Sequence, residues 1–197
     1  LDTAHSYGNS EQVLGSFFSQ NNYSDRFPFI TTKFFTTAPI GSPDSVVEKE
    51  IIESVETSLT RLGVKKVNCL LMHRSEDMHQ HGNIVPQTLK KLIQRGYTDI
   101  VGASIYQPEE VDTMLSHDIY GAIQIPMNLF DQKLFQKGYL KRLKERNTGV
   151  FVRSVFLQGL FFLDPKHIHD PELIKYAVPH LNALRELSEQ AGMSIAQ

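Results

Sequence analysis

The sequence contains one cysteine, no excess of basic charge and no long apolar run, and each shortage excludes a class of protein. The single cysteine, Cys69, cannot form an intramolecular disulfide, which is typical of a reducing compartment such as the cytoplasm. Twenty Lys and Arg against 22 Asp and Glu leave a formal charge of −2, so no basic field attracts nucleic acid or an acidic membrane. The most apolar stretch, residues 155–163, is about half as long as a bilayer span, which predicts no membrane segment.

The sequence also lacks a Gly-x-Gly-x-x-Gly turn after its first strand and a linker rich in Pro, Gly or Ser. The missing glycine turn argues against a dinucleotide-binding, doubly wound sheet. The missing linker predicts a single domain over residues 1–197. With 41% hydrophobic residues, a chain of this length can bury a sizeable core.

What the sequence does contain is an alternation of short apolar strands with amphipathic helices. The predicted strands are 29–33, 67–72, 100–103, 122–125 and 150–152, with the end of a sixth at Leu1 and Asp2. The first predicted helix has its N-cap at Ser42, Pro43 in its first turn and its end at Leu62, before Gly63. Further helices are predicted over 85–95, from Pro108 and over 133–146. The last predicted helix starts at about Pro171, is kinked or restarted at Pro179, and has Leu181, Leu184 and Leu187 facing inward. This repetition predicts parallel strands with helical crossovers. Without the glycine turn, it favours most of an eight-stranded (β/α)8 barrel, an α/β fold.

Polar residues stand at the predicted C-terminal ends of these strands, where such barrels carry their active sites. They are Asp2, Lys33, His73, Ser104 and Gln124, with Tyr7 five residues after Asp2. These side chains are therefore the candidates for chemistry.

Motifs along the chain resemble those of the aldo-keto reductases. They are Asp2-Thr3-Ala4, Tyr7-Gly8-x-Ser10-Glu11, Thr32-Lys33, Leu70-Leu71-Met72-His73, Val101-Gly102-Ala103-Ser104 and Ile123-Gln124-Ile125-Pro126-Met127-Asn128. The resemblance implies a TIM barrel that reduces an aldehyde or ketone by hydride transfer from NADPH, or alternatively NADH. It also implies that the family's first strand, and its eighth strand with the segment that follows, lie outside residues 1–197, so that the barrel is incomplete in this chain.

The resemblance gives each of four titratable residues a role. Tyr7 is the general acid, and a phenol of pKa about 10 needs its anion stabilised to donate a proton at neutral pH. Lys33 stabilises that anion, Asp2 keeps the lysine charged, and His73 orients the substrate carbonyl. Taken singly, Tyr7 is more often a packing residue and His73 a structural histidine. Together and in this order, the four predict a reductase-type site.

The resemblance also implies a cofactor site with two departures from the common pattern. Its residues are Ser104, Gln124, Arg153, Ser154, Phe156, Gln158 and Gly159. Ile105 stands where Asn is common, which predicts the loss of one amide contact. Arg153 stands where an aromatic ring stacks on the nicotinamide; a guanidinium can stack there or pair with phosphate, and the alternative is an ion pair in the barrel mouth. These departures indicate a divergent, bacterial-type branch.

Three further patterns do not predict additional functional sites. His73, His79 and His81 have no carboxylates or cysteines at metal-ligand spacing, so no metal site is predicted. The basic residues of 133–146 predict a solvated helix face, and Cys69 predicts core packing.

The substrate beyond a small carbonyl compound and the oligomeric state stay open. A second hypothesis is a catalytically weak, cofactor-binding or regulatory barrel, as channel-associated members of the resembled family suggest.

Overall fold

The computed structural model describes residues 1–21 and 27–197. Five parallel strands form one sheet in the order β1-β2-β3-β4-β5, which confirms the α/β fold class. The strands are β1 (Thr31–Phe34), β2 (Val67–Met72), β3 (Thr98–Ser104), β4 (Tyr120–Pro126) and β5 (Gly149–Arg153). The helices are α1 (Ser10–Gln20), α2 (Asp44–Leu62), α3 (Asp77–Gln80), α4 (Ile84–Gln94), α5 (Pro108–Leu115), α6 (Lys133–Gln136), α7 (Tyr139–Glu145), α8 (Pro171–Tyr176) and α9 (Val178–Ala191). Within the described ranges, no helix combines the length and apolar character that a membrane crossing requires.

The chain divides into two compact units. The first comprises Leu1–Pro126 and Gln132–Arg153 and contains the whole sheet. The second comprises Met127–Asp131 and Ser154–Gln197. In the second unit, Phe161, Ile168 and Leu181 form a small buried apolar cluster.

The predicted strand end at the N-terminus is a single parallel bridge. Asp2 pairs with Thr31, the Thr31 amide donates to the Leu1 carbonyl at 2.8 Å, and the Thr3 amide donates to the Thr31 carbonyl at 2.9 Å. Residues 1–3 therefore run alongside β1, which brings the Asp2 side chain to the same edge as Lys33.

The helix predictions need three corrections. Pro43 rather than Ser42 occupies the N-cap of α2, which begins at Asp44; the predicted end at Gly63 is confirmed by its left-handed φ of 65°. The helix predicted over 133–146 is two helices, because Gly138 adopts a φ of 75° between them. The helix restarts, one of the two predicted alternatives, with α9 at Val178, and Pro179 lies in its first turn. In α9, Leu187 is 57% exposed and does not face inward.

The core of the first unit depends on a close approach between β3 and β4. Gly102 lies opposite Ala122 at a register shift in the ladder. A Cβ on Gly102 would collide with the Ala122 carbonyl oxygen and lie 2.8 Å from Leu71 Cδ2. The close packing of β3 against β4 therefore requires glycine at position 102. This packing positions Ser104, the C-terminal residue of β3.

Candidate active site

Lys33 lies at the centre of the candidate site, near the C-terminal end of β1, with its side chain fully removed from solvent. Its Nζ donates to Asp2 Oδ1 at 2.8 Å, to the Thr3 carbonyl at 3.0 Å and to the Tyr7 hydroxyl at 3.3 Å. These acceptors match the three N–H groups of an ammonium ion. Burying a charge is costly unless it is paired and hydrogen-bonded, and Lys33 is both.

A buried carboxylate holds α1 against β1 one residue before Lys33. Glu11 Oε1 accepts a hydrogen bond from Thr32 Oγ1 at 2.7 Å, and its Oε2 lies 3.5 Å from Arg61 Nη1 of α2. One turn later, Gly15 lets α1 approach the end of α2, because a Cβ there would collide with the Arg61 carbonyl. The loop that carries Tyr7 is thus anchored at its far end.

His73 follows β2 and faces the same group of side chains. Its backbone amide donates to the Phe34 carbonyl at 2.7 Å, and its ring meets the Tyr7 ring edge-on with centroids 5.6 Å apart. Burial lowers the pKa of the imidazole, and the positive charges of Lys33 and Arg153 lower it further. The ring is therefore neutral at pH 7.

A cavity of about 610 Å³ adjoins His73. Its lining residues are Ser6, Phe35, His73, Arg74, Glu76, Asp77, Gln80 and Tyr106. This volume lies within the range of small-molecule sites, roughly 300–1,000 Å³. Arg74 is held at the cavity by the Thr36 carbonyl and by the buried Asp77 carboxylate at 3.3 Å, and burial raises the pKa of Asp77.

Ser104 ends β3 and Gln124 lies two residues before the end of β4; both are buried polar residues, 2% and 4% exposed. Gln124 Nε2 lies 3.3 Å from Asp2 Oδ2, so Gln124 joins the Lys33 cluster directly. The Ser104 hydroxyl makes no hydrogen bond with another residue in the described part of the chain. The edge of the sheet therefore offers an amide and an available hydroxyl.

The two departures at residues 105 and 153 are in contact. Ile105 is fully buried and presents no polar side-chain group. The Arg153 guanidinium lies 4.2 Å from the centroid of the Tyr106 ring and donates to the Ile105 carbonyl at 3.3 Å. Across residues 1–21 and 27–197, no carboxylate forms an ion pair with Arg153, so the ion-pair alternative is not the arrangement found.

The remaining predicted cofactor residues, Ser154, Phe156, Gln158 and Gly159, belong to the second unit. Ser154 and Gln158 have φ angles of 59° and 55°, in the left-handed region that non-glycine residues rarely adopt. Gly159 follows with a φ of 91°. The Phe156 ring packs against Phe162 with centroids 5.1 Å apart. The segment is tightly coiled, and its role stays a prediction.

The other patterns in the sequence have structural partners. Four side chains of the basic segment form ion pairs with carboxylates: Lys137 with Glu109, Lys141 with Glu145, Arg142 with Asp112 and Arg146 with Asp118. Cys69 is fully buried, and burial raises the pKa of its thiol to about 12. Among the residues described, no group of three or more His, Cys, Asp or Glu side chains could hold a metal, and His79 and His81 belong to no such group.

Three contacts at the site were missed in the sequence. Ser6 Oγ lies 3.1 Å from His73 Nδ1, the Thr3 carbonyl binds Lys33, and Glu11 supports Thr32. Glu11 and Thr32 both belong to the sequence motifs shared with the resembled family, which could have suggested their structural role. Ser6 lies between Asp2 and Tyr7 at a position that no motif specifies, so its contact with His73 could not be predicted. The contact of Lys33 with the Thr3 backbone carbonyl could not be predicted either, because every residue has such a carbonyl.

Comparison with known proteins decides the family. The sequence profile of the Aldo/keto reductase family matches residues 1–197, the whole chain. The chain belongs to the aldo/keto reductase family. The resemblance inferred from the motifs is thereby confirmed.

Among curated relatives of this aldo/keto reductase chain is the "probable pyridoxal reductase 2" of Schizosaccharomyces pombe. It is 24% identical over 184 residues, which cover 84% of this chain and 54% of the relative. A "putative voltage-gated potassium channel subunit beta" of the same yeast is 31% identical over 146 residues, covering 72% of this chain and 41% of the relative.

Among solved structures, the glycerol dehydrogenase of Gluconobacter oxydans matches with a TM-score of 0.74 at 21% identity, covering 98% of this chain and 64% of that one. An aldo/keto reductase of Klebsiella pneumoniae, solved with NADP and acetate, matches with a TM-score of 0.67 at 17% identity, covering 99% and 62%. These likenesses show a shared fold. The chain spans between about two fifths and two thirds of the length of these relatives.

Proposed function

We propose that the chain carries the active site of an NAD(P)H-dependent oxidoreductase that reduces an aldehyde or ketone to an alcohol, with Tyr7 as the general acid. The observation that supports this most directly is the position of Lys33 Nζ, 2.8 Å from Asp2 Oδ1 and 3.3 Å from the Tyr7 hydroxyl. A buried ammonium between a carboxylate and a phenol serves packing poorly, whereas it serves proton donation well.

Each of the four side chains has a separate proposed role in the protonation of the carbonyl oxygen. When bound, the reduced nicotinamide supplies a hydride to the carbonyl carbon. Tyr7 donates its hydroxyl proton to the oxygen, and Lys33 stabilises the phenolate that remains. Asp2 keeps Lys33 charged. His73, neutral at pH 7, donates its ring N–H to the same oxygen and fixes the direction in which the carbonyl faces Tyr7.

The residues at the sheet edge fit the nicotinamide end of the cofactor. A carboxamide needs both a donor and an acceptor, and the Ser104 hydroxyl and the Gln124 amide offer both from buried positions. Arg153 offers a planar cation that is already stacked on Tyr106. We assign these three residues to the cofactor, with NADPH expected and NADH possible. From the resemblance alone, Ser154, Phe156, Gln158 and Gly159 are proposed as further cofactor-binding residues.

A regulatory, catalytically weak barrel is the second candidate. It is favoured by Ile105, whose buried side chain offers no amide, and by the 31% identical yeast relative whose name is a channel subunit. The two candidates differ in turnover, because a regulatory barrel binds cofactor without reducing carbonyls at a useful rate.

The deciding experiment combines binding with turnover. We expect NADPH to quench the intrinsic fluorescence of the protein and to be oxidised when 4-nitrobenzaldehyde is added. Tyr7→Phe should lower kcat by about 10²–10⁴-fold, the usual contribution of a general acid, and leave the NADPH dissociation constant unchanged. Tyr97→Phe is the matched control. The Tyr97 hydroxyl contacts Glu56 at 2.9 Å, and neither residue belongs to this site. Near-normal turnover in Tyr7→Phe would remove the proposed role, and binding without turnover in the wild type would favour the regulatory barrel.

A further inference from the structure

Ser6 contacts the one ring nitrogen of His73 that the proposed reaction leaves unused. Ser6 Oγ lies 3.1 Å from His73 Nδ1, and both residues line the cavity of about 610 Å³. In the described part of the chain, the other ring nitrogen, Nε2, forms no hydrogen bond. Nε2 is therefore the ring atom that remains for a ligand.

The chemistry of a neutral imidazole gives this contact a consequence. Such a ring carries its proton on one nitrogen and accepts a hydrogen bond at the other, and the partner of one nitrogen decides which tautomer is present. Charged groups around the ring come from several elements: Lys33 of β1, Asp2 beside it, Arg153 of β5 and Arg74 next in the chain. Burial, together with these three cations, lowers the pKa of the ring against the effect of the one carboxylate, so the ring is neutral at pH 7 and can adopt either tautomer.

We propose that Ser6 is a positioning residue that donates its hydroxyl proton to His73 Nδ1 and thereby keeps the ring proton on Nε2, facing the substrate carbonyl. This inference rests on the proposed function for its catalytic consequence. The opposite polarity, with Nδ1–H donating to Ser6, would leave Nε2 a bare acceptor that repels a carbonyl oxygen. Ser6 has no other hydrogen-bond partner among the described residues, so its proton is free to go to Nδ1.

The tautomer can be measured without any enzymatic activity. In protein with ¹⁵N-labelled histidine, long-range ¹H–¹⁵N correlation spectra at pH 7.5 distinguish protonated from unprotonated ring nitrogens, and His73→Gln identifies the His73 signals. We expect Nδ1 unprotonated and Nε2 protonated in the wild type. In Ser6→Ala the two ¹⁵N shifts should move toward each other, as expected for a tautomer mixture, and Ser6→Thr should restore them. Ser19→Ala, which removes an exposed hydroxyl bonded to the Ser16 carbonyl, should change nothing.

The kinetic arm tests the catalytic consequence separately. Ser6→Ala should lower kcat/KM for a carbonyl substrate by about 3- to 10-fold, the effect of one neutral hydrogen bond, with Ser6→Thr restoring it and NADPH affinity unchanged. In a His73→Gln background, Ser6→Ala should have no further effect, because both changes act through one ring.

Each outcome decides one claim. A wild-type ring protonated at Nδ1, or identical spectra in the wild type and Ser6→Ala, would overturn the role of Ser6. An additive loss in the double variant would overturn its action through His73. A protein that shows the Nε2–H tautomer and its loss in Ser6→Ala, yet reduces no carbonyl, would instead overturn the proposed function and leave the tautomer selection standing.

Discussion

Removing the Asp2 carboxylate should destabilise the fold much more than removing a surface carboxylate from an ion pair of the same length. The chain contains a matched pair for this comparison. Asp2–Lys33 and Asp99–Lys66 have N–O distances of 2.8 and 2.9 Å, and their aspartates are 48% and 50% exposed. The lysines differ: the side chain of Lys33 is 0% exposed, whereas that of Lys66 is 48% exposed.

The burial of the lysine sets the expected magnitudes. Losing one partner of a buried pair costs about 3–5 kcal/mol, because an uncompensated charge stays inside the protein. Asp2 is half exposed, so water can enter beside Lys33 and reduce the cost of Asp2→Ala to about 2–3 kcal/mol. Asp99→Ala should cost about 0–1 kcal/mol, as for other surface pairs. For a domain of this size, the difference of about 1–3 kcal/mol corresponds to roughly 2–12 °C in Tm.

Removing the cation instead of the anion should reverse most of this loss. Lys33→Met deletes the buried charge, and the half-exposed Asp2 carboxylate that remains can be hydrated. We expect Lys33→Met to cost within about 1 kcal/mol, and Asp2→Ala/Lys33→Met to be more stable than Asp2→Ala alone. Urea unfolding at pH 7, followed by circular dichroism, measures all four variants and the wild type. Equal costs for Asp2→Ala and Asp99→Ala would contradict this prediction, since Lys33 would then not depend on Asp2 for its charge.

Three further changes test other parts of the account. Gly102→Ala should cost about 2–4 kcal/mol in urea unfolding because its Cβ meets the Ala122 backbone, whereas Gly149→Ala, which meets ordinary van der Waals contact, serves as the control. Because the pKa of His73 is lowered in the folded protein, the unfolded chain binds a proton at this residue more readily. The contribution of neutral His73 to the free energy of unfolding is therefore present above pH 6.5 and lost as the pH falls through the folded pKa. His73→Gln should flatten that part of the pH–stability curve. The Cys69 thiol, with a pKa of about 12, should react with a disulfide reagent such as DTNB only after unfolding, and fast labelling of the native protein would contradict its burial.

The sequence predicted the order of strands and helices well, because apolar runs and helical spacing report burial directly. It failed where one residue decides the local backbone. Gly138 splits a helix whose apolar pattern continues on both sides, and a glycine there looks the same as one tolerated inside a helix. Leu187 matches the helical spacing, but only the packing of the finished fold determines that its face is exposed.

The polar residues of the candidate site could be named from the sequence because each stands at a strand end. Their partners could not, since they depend on contacts between distant segments. Gln124 and Asp2 are 122 positions apart and meet at 3.3 Å only because parallel strands bring their C-terminal ends to one edge. Ser6 and His73 are 67 positions apart and meet through the turn of the loop that follows Asp2.

The departures at residues 105 and 153 form one structural arrangement rather than two independent losses. Arg153 at the end of β5 donates to the carbonyl of Ile105 beyond β3, and the Ile105 amide donates to the Gln124 carbonyl of β4 at 2.9 Å. The Ile105 backbone thus links Arg153 at the end of β5 to Gln124 of β4. The Ile105 backbone carbonyl holds Arg153 over Tyr106, so a planar cation stands where the resembled pattern has a ring. A ligand that contacts Arg153 therefore meets a positively charged planar group, which can stack on an aromatic face or pair with an anion.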